Sequence, residues 1–392
     1  MSELDLGLKV ASRRLLWRMG FTTRVDVPLR AFVPAPDGKS RTTSRFETFT
    51  DLDVLGVAVA PGFALRSVIA DCKTTRRGST ERMFWVKGVS DFFAADDAWM
   101  VRQGGVTAAS RQLASRLAIS VLEPADLARL EEFHPTDLEL SHGPLALLFD
   151  EERVSSYMRS YTTLDGKLEK LVEYRQFDYW VYDEYRNLLQ VIAHLAQVGK
   201  HLDARQPAHR AIFVDCAWLY TRSLAQAARH VRAVHVSDVD TALKQYLFGS
   251  QAALQEKQRL ANILQRLAPR GVVTDGDEGL LPAWYPQLLD LLIRHLRRPN
   301  VIGQELRYAE WVAEAQLAKE PAAVADAFLD EFDPVAAKLL ADVCGFLVTV
   351  AELDPDFRSF ARSVLAQPDP KSGADAAPMT EPRHSQEPLP GA

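Results

Sequence analysis

The chain has 392 residues, of which 47% are hydrophobic and 25% are charged, a composition typical of soluble globular proteins of one or two domains. No apolar run approaches the roughly 18 residues of a membrane-spanning helix, and the N-terminus lacks the apolar core of a signal peptide. The three cysteines are too few and too widely spaced for a disulfide framework or a zinc site, which predicts a cytoplasmic protein with reduced thiols.

Residues 1–130 mix helical and strand periodicity. In chain order, "LGLKVASRRLLWRM" predicts a helix that stops at Gly20, and "TTRVDVPLRAFV", "RFETFTDLDVLGVAV" and "RSVIADCKTT" predict three strands. The segments "STERMFWVKGVSDFFAA", "AWMVRQ", "VTAASRQLASRLA" and "ISVLE" then alternate helix, strand, helix and strand. This order predicts an α/β domain with a mixed sheet flanked by helices.

Strand signals end near residue 150. Residues 131–150 form the predicted junction, residues 151–367 a predicted all-α domain, and the proline-rich residues 368–392 a predicted disordered tail. The aromatic run "YRQFDYWVYDEY" fits helix packing better than base stacking, because acidic residues interrupt it.

Charge is distributed unevenly between these parts. Residues 1–130 hold 19 Lys/Arg and 14 Asp/Glu, a net charge of +5, so the totals of 46 and 52 leave 27 and 38, or −11, for the remainder. A mildly basic first domain is suited to an anionic partner, whereas the acidic helical domain is suited to protein contacts.

Acidic and basic residues end the third predicted strand. Asp71 and Lys73 are two residues apart and share a face, while Cys72 points the other way. If the "PGF" turn makes the preceding strand antiparallel, Asp53 converges on Asp71. Asp51 is either a supporting carboxylate or a solvated charge at the strand end.

Two nearby carboxylates require a cation between them, and their hard oxygens suit Mg²⁺ or Mn²⁺. A neighbouring lysine can orient or deprotonate a water molecule and offset the charge of a phosphate. The pattern therefore predicts hydrolysis of phosphodiester bonds. The acid-x-lysine motif alone is unspecific, since it recurs at Asp37, Asp165 and Asp369 outside any strand.

The run from "TDLDVLGVAV" through "SVIADCK" to "ISVLEPADL" resembles the PD-(D/E)xK nuclease superfamily, whose fold is restriction-endonuclease-like, and in particular its Mrr-like and resolvase-like members. The resemblance covers residues 5–130. It implies a magnesium-dependent DNA endonuclease acting in restriction, antiviral defence or repair, often as a homodimer, with Asp53, Asp71 and Lys73 catalytic.

The resemblance also implies further site residues. Asp53, Asp71 and the backbone carbonyl of Cys72 would bind the metal, with Lys87 as an auxiliary residue. Many members carry a glutamate near the position of Lys9, so the accessory acid is missing here, and Asp5 is the predicted substitute.

Three arginines, Arg66, Arg76 and Arg77, bracket the third strand and are either phosphate contacts or ordinary loop charges. The alternative to an active nuclease is a catalytically inactive subunit that keeps the fold and binds DNA or a partner protein. A purely helical interaction protein is a third possibility. The helical domain is the predicted site of dimer or partner contacts.

Overall fold

A computed structural model describes residues 3–33, 45–75, 79–181, 183–267, 280–320 and 322–366. The segment between the first two predicted strands, the arginines Arg76 and Arg77, and the predicted disordered tail at 368–392 lie outside these residues. No helix in the described ranges is both long enough and apolar enough to cross a lipid bilayer.

The sheet contains five strands in the order β1-β2-β3-β4-β5. They are β1 (Thr22–Val33), β2 (Arg45–Ala60), β3 (Ala64–Lys73), β4 (Asp97–Arg102) and β5 (Ser120–Leu122). The pairs β1-β2 and β2-β3 are antiparallel, whereas β3-β4 and β4-β5 are parallel. The predicted mixed sheet is therefore confirmed.

Four helices accompany the sheet: α1 (Glu3–Arg18), α2 (Ser79–Phe93), α3 (Ala108–Arg116) and α4 (Pro124–Phe133). The chain leaves α1 at Gly20 with φ of 88°, as predicted for a glycine that ends a helix. Leu15 and Leu16 of α1 pack with Val54 and Ala70 in one buried cluster on the sheet. Helices α2 and α3 complete the parallel crossovers that β3-β4-β5 requires.

A tight turn between β2 and β3 sets the register of the two strands. Gly62 and Phe63 both have positive φ, and a Cβ at Gly62 would lie 2.7 Å from Nη1 of Arg232. Glycine is therefore needed at this position. The turn pairs Val54 with Ala70, so that Asp53 and Asp71 occupy the next opposed positions.

The remainder of the described chain is helical. Its α-helices are α5 (Glu151–Ser160), α6 (Glu169–Glu173), α7 (Tyr179–Val181), α8 (Asn187–Val198), α9 (Pro207–Val234), α10 (Val239–Leu247), α11 (Gln251–Leu267), α12 (Tyr285–Leu296), α13 (Ile302–Ala318), α14 (Val324–Phe328), α15 (Pro334–Val350) and α16 (Asp356–Val364). A π-helical turn at Tyr174–Asp178 and a 3-10 turn at Glu184–Arg186 interrupt the aromatic run. Tyr174, Phe177 and Tyr179 are buried there, as predicted for packing aromatics.

One hydrophobic cluster connects the sheet with the helices. It includes Leu55 and Ile69 of the sheet together with Trp218 of α9 and Trp311 of α13. Buried ion pairs cross the same boundary. Arg13 of α1 lies 2.9 Å from Glu310 of α13, and Arg24 of β1 pairs with Asp215 of α9. The division into domains at residues 131–150 stays a prediction.

Candidate active site

The middle of β2 and the end of β3 bring three charged side chains close together. Asp53 is 2% exposed and Asp71 6% exposed. The Nζ of Lys73 lies 3.2 Å from Oδ2 of Asp53, and the backbone N–H of Cys72 donates to the same oxygen at 2.8 Å. A small cavity lined by Asp51, Asp53 and Asp71 separates these strands from α2. Asp53 therefore contacts Lys73 and lines the same cavity as Asp71, while the catalytic roles of the three residues stay a prediction.

Lys9 contacts Asp53 from the first helix, near the position where many members of the resembled family carry a glutamate. Its Nζ lies 2.8 Å from Oδ1 of Asp53 and also contacts Asp26, and its side chain is 4% exposed. Burial alone would lower the pKa of Lys9, but the negative charges of Asp53 and Asp26 outweigh it and raise that pKa. Lys9 is therefore a cationic member of the site.

Asp26 of β1 is a site residue that the sequence analysis missed. It has a φ of 53° and falls between the pairs Val25–Val54 and Val27–Leu52. One oxygen from each of Asp26, Asp51 and Asp53 lies within 4.8 Å of the others. Burial raises the pKa of Asp26, and the ammonium of Lys9 partly offsets that increase. Asp51 thus belongs to a group of three carboxylates.

Helix α2 contributes Arg82 to the site rather than the predicted Lys87. The Nε of Arg82 donates to Oδ2 of Asp71 at 2.9 Å, and its Nη2 contacts the other oxygen. Its guanidinium also stacks on the ring of Trp85, with 3.6 Å from Cζ to the ring centroid. Lys87 instead pairs with Asp91 at 2.6 Å on the exposed side of the helix. The structure therefore places Lys87 more than one helical turn beyond Arg82, and it does not bring Lys87 to Asp71.

Asp5 does not join the three carboxylates. Its Oδ1 accepts hydrogen bonds from the backbone N–H and the hydroxyl of Thr74, both at 2.9 Å. Asp5 therefore anchors the chain directly after Lys73, which helps to fix where that lysine leaves the sheet. This role differs from the predicted substitution for an accessory acid.

Cys72 points away from the charged residues, as predicted. Its thiol is fully buried, and burial raises its pKa. The role of its carbonyl as a metal ligand stays a prediction. Arg66 is exposed near the opposite end of β3, about 17 Å from Asp71 at a rise of about 3.3 Å per residue. Arg66 is therefore too distant to hold the phosphate at these carboxylates.

The charged cluster, as we call this group, consists of four carboxylates and three cations: Asp26, Asp51, Asp53, Asp71, Lys9, Lys73 and Arg82. Its net charge of −1, with Asp26 ionised, attracts a cation. The grouped carboxylate oxygens are the hard ligands that Mg²⁺ or Mn²⁺ requires. The residues therefore fit a divalent ion, in competition with the ammonium and guanidinium groups already paired to them.

Comparisons with protein-family models, with curated proteins and with solved structures gave no match, so the chemistry is assigned from the geometry of the charged cluster.

Proposed function

We propose that the chain is a metal-dependent DNA endonuclease with a restriction-endonuclease-like N-terminal domain. The observation that carries the proposal is the contact of Lys73 with Asp53, at 3.2 Å, beside a cavity that Asp53 and Asp71 line from adjacent strands. The further carboxylates of Asp26 and Asp51 support it, because they increase the number of oxygen ligands on one side of Asp53.

Asp53 is the central ligand in this proposal, and Asp71 and Asp51 are the carboxylates beside it. A bound Mg²⁺ or Mn²⁺ would supply Lewis-acid activation of the scissile phosphate and of water. The side chain of Lys73 is 32% exposed, so its ammonium faces both Asp53 and the solvent from which substrate arrives. In that position Lys73 can orient the attacking water and neutralise a phosphate oxygen.

The setting follows from the same resemblance. We propose a cytoplasmic role in restriction, antiviral defence or repair, with the helical part making contacts in a homodimer or with a partner protein. DNA is the proposed substrate because the resemblance is to DNA nucleases, and the net positive charge of the first 130 residues suits a phosphate backbone.

A second candidate function is a non-catalytic nuclease-fold subunit that binds DNA or a partner protein. This function is favoured by the ion pairs of Asp53 and Asp71. Lys9 lies 2.8 Å from Asp53, and Arg82 donates hydrogen bonds to both carboxylate oxygens of Asp71. An internal ammonium can take the place of a metal ion and keep the fold while chemistry is lost.

Cleavage of several DNA forms in Mg²⁺ and Mn²⁺ tests the first function. We expect Lys73→Ala to lower the cleavage rate at least 100-fold, the lower range for loss of a general acid-base group. Lys87→Ala is the matched control, since Lys87 pairs only with Asp91 among the contacts described, and it should leave the rate unchanged. Equal rates in Lys73→Ala and the wild type would refute the assignment.

Calorimetric titration with Mn²⁺ separates the two functions. A nuclease should bind Mn²⁺ and lose that binding in Asp53→Asn. Arg82→Gln should bind more tightly, because it releases Asp71. No binding by either the wild type or Arg82→Gln would select the non-catalytic subunit.

A further inference from the structure

A second cavity, of about 320 Å³, lies on the same face of the sheet as the charged cluster but at the other end of β3. Ser67 lines it, and because Ser67 and Asp71 are four residues apart on one strand, their side chains share a face. The distance between them along the strand is about 13 Å. Helix α9 forms the opposite wall.

Three arginines line this cavity: Arg66 of β3, and Arg222 and Arg229 of α9. The two α9 residues are seven apart and therefore share a helix face. Of the lining acids, Asp96 is engaged by the backbone N–H of Ser67 at 2.6 Å and by its hydroxyl. Glu184 is the other lining acid, so three arginines and two carboxylates leave a formal charge of +1. Arg222 and Arg229, on one helix face, are suited to a phosphate, which arginine binds through paired N–H groups.

An aromatic wall adjoins the arginines. Trp180 lines the cavity beside Phe93, with ring centroids 6.1 Å apart, and both rings are partly exposed. The Cζ of Arg222 lies 5.1 Å from the centroid of Trp180, and Nη1 of Arg222 donates to the hydroxyl of Tyr179 at 3.1 Å. These contacts hold Trp180 and Arg222 in place, and they give a planar ring a surface on which to stack.

Gln226 is a third feature that indicates a ligand site. It lines the cavity and is only 2% exposed, yet neither Nε2 nor Oε1 of its amide has a hydrogen-bond partner among the described residues. Leaving both atoms unpaired is costly. A primary amide matches the edge of a nucleobase, since it donates and accepts side by side.

We propose that this cavity binds a nucleoside phosphate, with the phosphate on Arg222 and Arg229, the base against Trp180, and its edge paired with Gln226. The volume falls in the lower part of the range for small-molecule sites, about 300–1,000 Å³. The ligand is either a free nucleotide or the terminal nucleotide of a strand. This proposal does not rest on nuclease activity, because none of the lining residues belongs to the charged cluster.

Calorimetric titration of the full chain in EDTA measures the affinity of the proposed nucleotide site. The probes are the four ribonucleoside 5′-monophosphates, adenosine, inorganic phosphate and a 5′-phosphorylated single-stranded oligonucleotide. The double variant Arg222→Gln/Arg229→Gln should bind the phosphate-bearing probes at least tenfold more weakly than the wild type does. Arg232→Gln is the matched control, an exposed arginine of the same helix that does not line the cavity, and it should bind as the wild type does.

Gln226→Leu separates binding from folding. It removes the unpaired amide, so it should unfold no more readily than the wild type while losing at least tenfold in nucleotide affinity. Binding of a monophosphate identifies a free nucleotide, and binding of the oligonucleotide alone identifies a strand end. Absence of binding to every probe, or equal affinities in the wild type and the double variant, would overturn the proposal.

Discussion

Replacing Lys9 with methionine tests the electrostatic account of the charged cluster most directly. Methionine keeps much of the length and apolar volume of the lysine stem but leaves Asp53 and Asp26 without the ammonium between them. Lys9 is 4% exposed and Asp53 2% exposed, so water replaces little of the lost interaction. Breaking a buried ion pair on one side costs about 3–5 kcal/mol, and we expect the free energy of unfolding to fall by that amount.

Urea unfolding in EDTA and again in Mn²⁺ measures the effect. A divalent ion can replace the missing positive charge, so Lys9→Met should recover more stability in Mn²⁺ than the wild type gains. At a concentration 100 times the Kd, the recovery should be about 2.7 kcal/mol. Lys87→Met, which breaks an exposed pair, is the control and should cost at most about 0.5 kcal/mol. A loss below about 1 kcal/mol in Lys9→Met would refute the reasoning, because it would mean that Asp53 does not need a buried counter-charge.

Three further changes probe contacts made by the helical part of the chain. Burial raises the pKa of Glu314 to about 7 despite the charge of Arg13, against 4.5 in an exposed carboxyl. The folded chain therefore holds this proton more tightly than the unfolded chain does, and the free energy of unfolding should fall by about 3 kcal/mol as pH rises from 4.5 to 7. Glu314→Gln should remove this dependence from a series of urea-unfolding measurements at different pH. Asp215→Asn leaves Arg24, 2.5 Å away in the wild type, without a buried counter-ion and should cost about 3–5 kcal/mol in urea unfolding. Gly249→Ala, at φ of 84° and with its Cβ 2.8 Å from the Tyr185 ring, should lower the unfolding free energy by about 2 kcal/mol in the same assay.

Local sequence patterns were sufficient to predict the sheet. The alternation in β1 and β2, the "PGF" turn and the apolar run before Asp71 are each read from neighbouring residues, and each element formed where the pattern placed it. The meeting of Asp53 with Asp71 then follows from one hairpin, a contact between residues close in sequence. The predicted part of the site is therefore the part that short-range geometry determines.

The other members of the charged cluster depend on information that no local pattern carries. In the sequence, Asp26 is an ordinary polar residue of an alternating strand. Its side chain lies beside the acids of β2 because its backbone is left-handed, with φ of 53°, and the alternation does not predict that conformation. Lys9 reaches Asp53 across 44 positions of sequence. Arg82 rather than Lys87 meets Asp71 because the rotation of α2 on the sheet is set by Met83 and Val86, which are fully buried.

The two cations that hold the acids differ in how readily they can leave, and this difference indicates where a metal ion would enter. Lys9 is 4% exposed and pairs with both Asp26 and Asp53, so its ammonium would have to leave two carboxylates to reach solvent. Arg82 is 29% exposed and stacks on Trp85 at the surface. Its guanidinium can therefore turn into solvent, where water hydrates it. Release of Arg82 would free both oxygens of Asp71, opposite Asp53 and beside the exposed Asp51. A divalent ion should therefore bind between β2, β3 and α2, while Lys9 remains in place and balances the charge of Asp53 and Asp26.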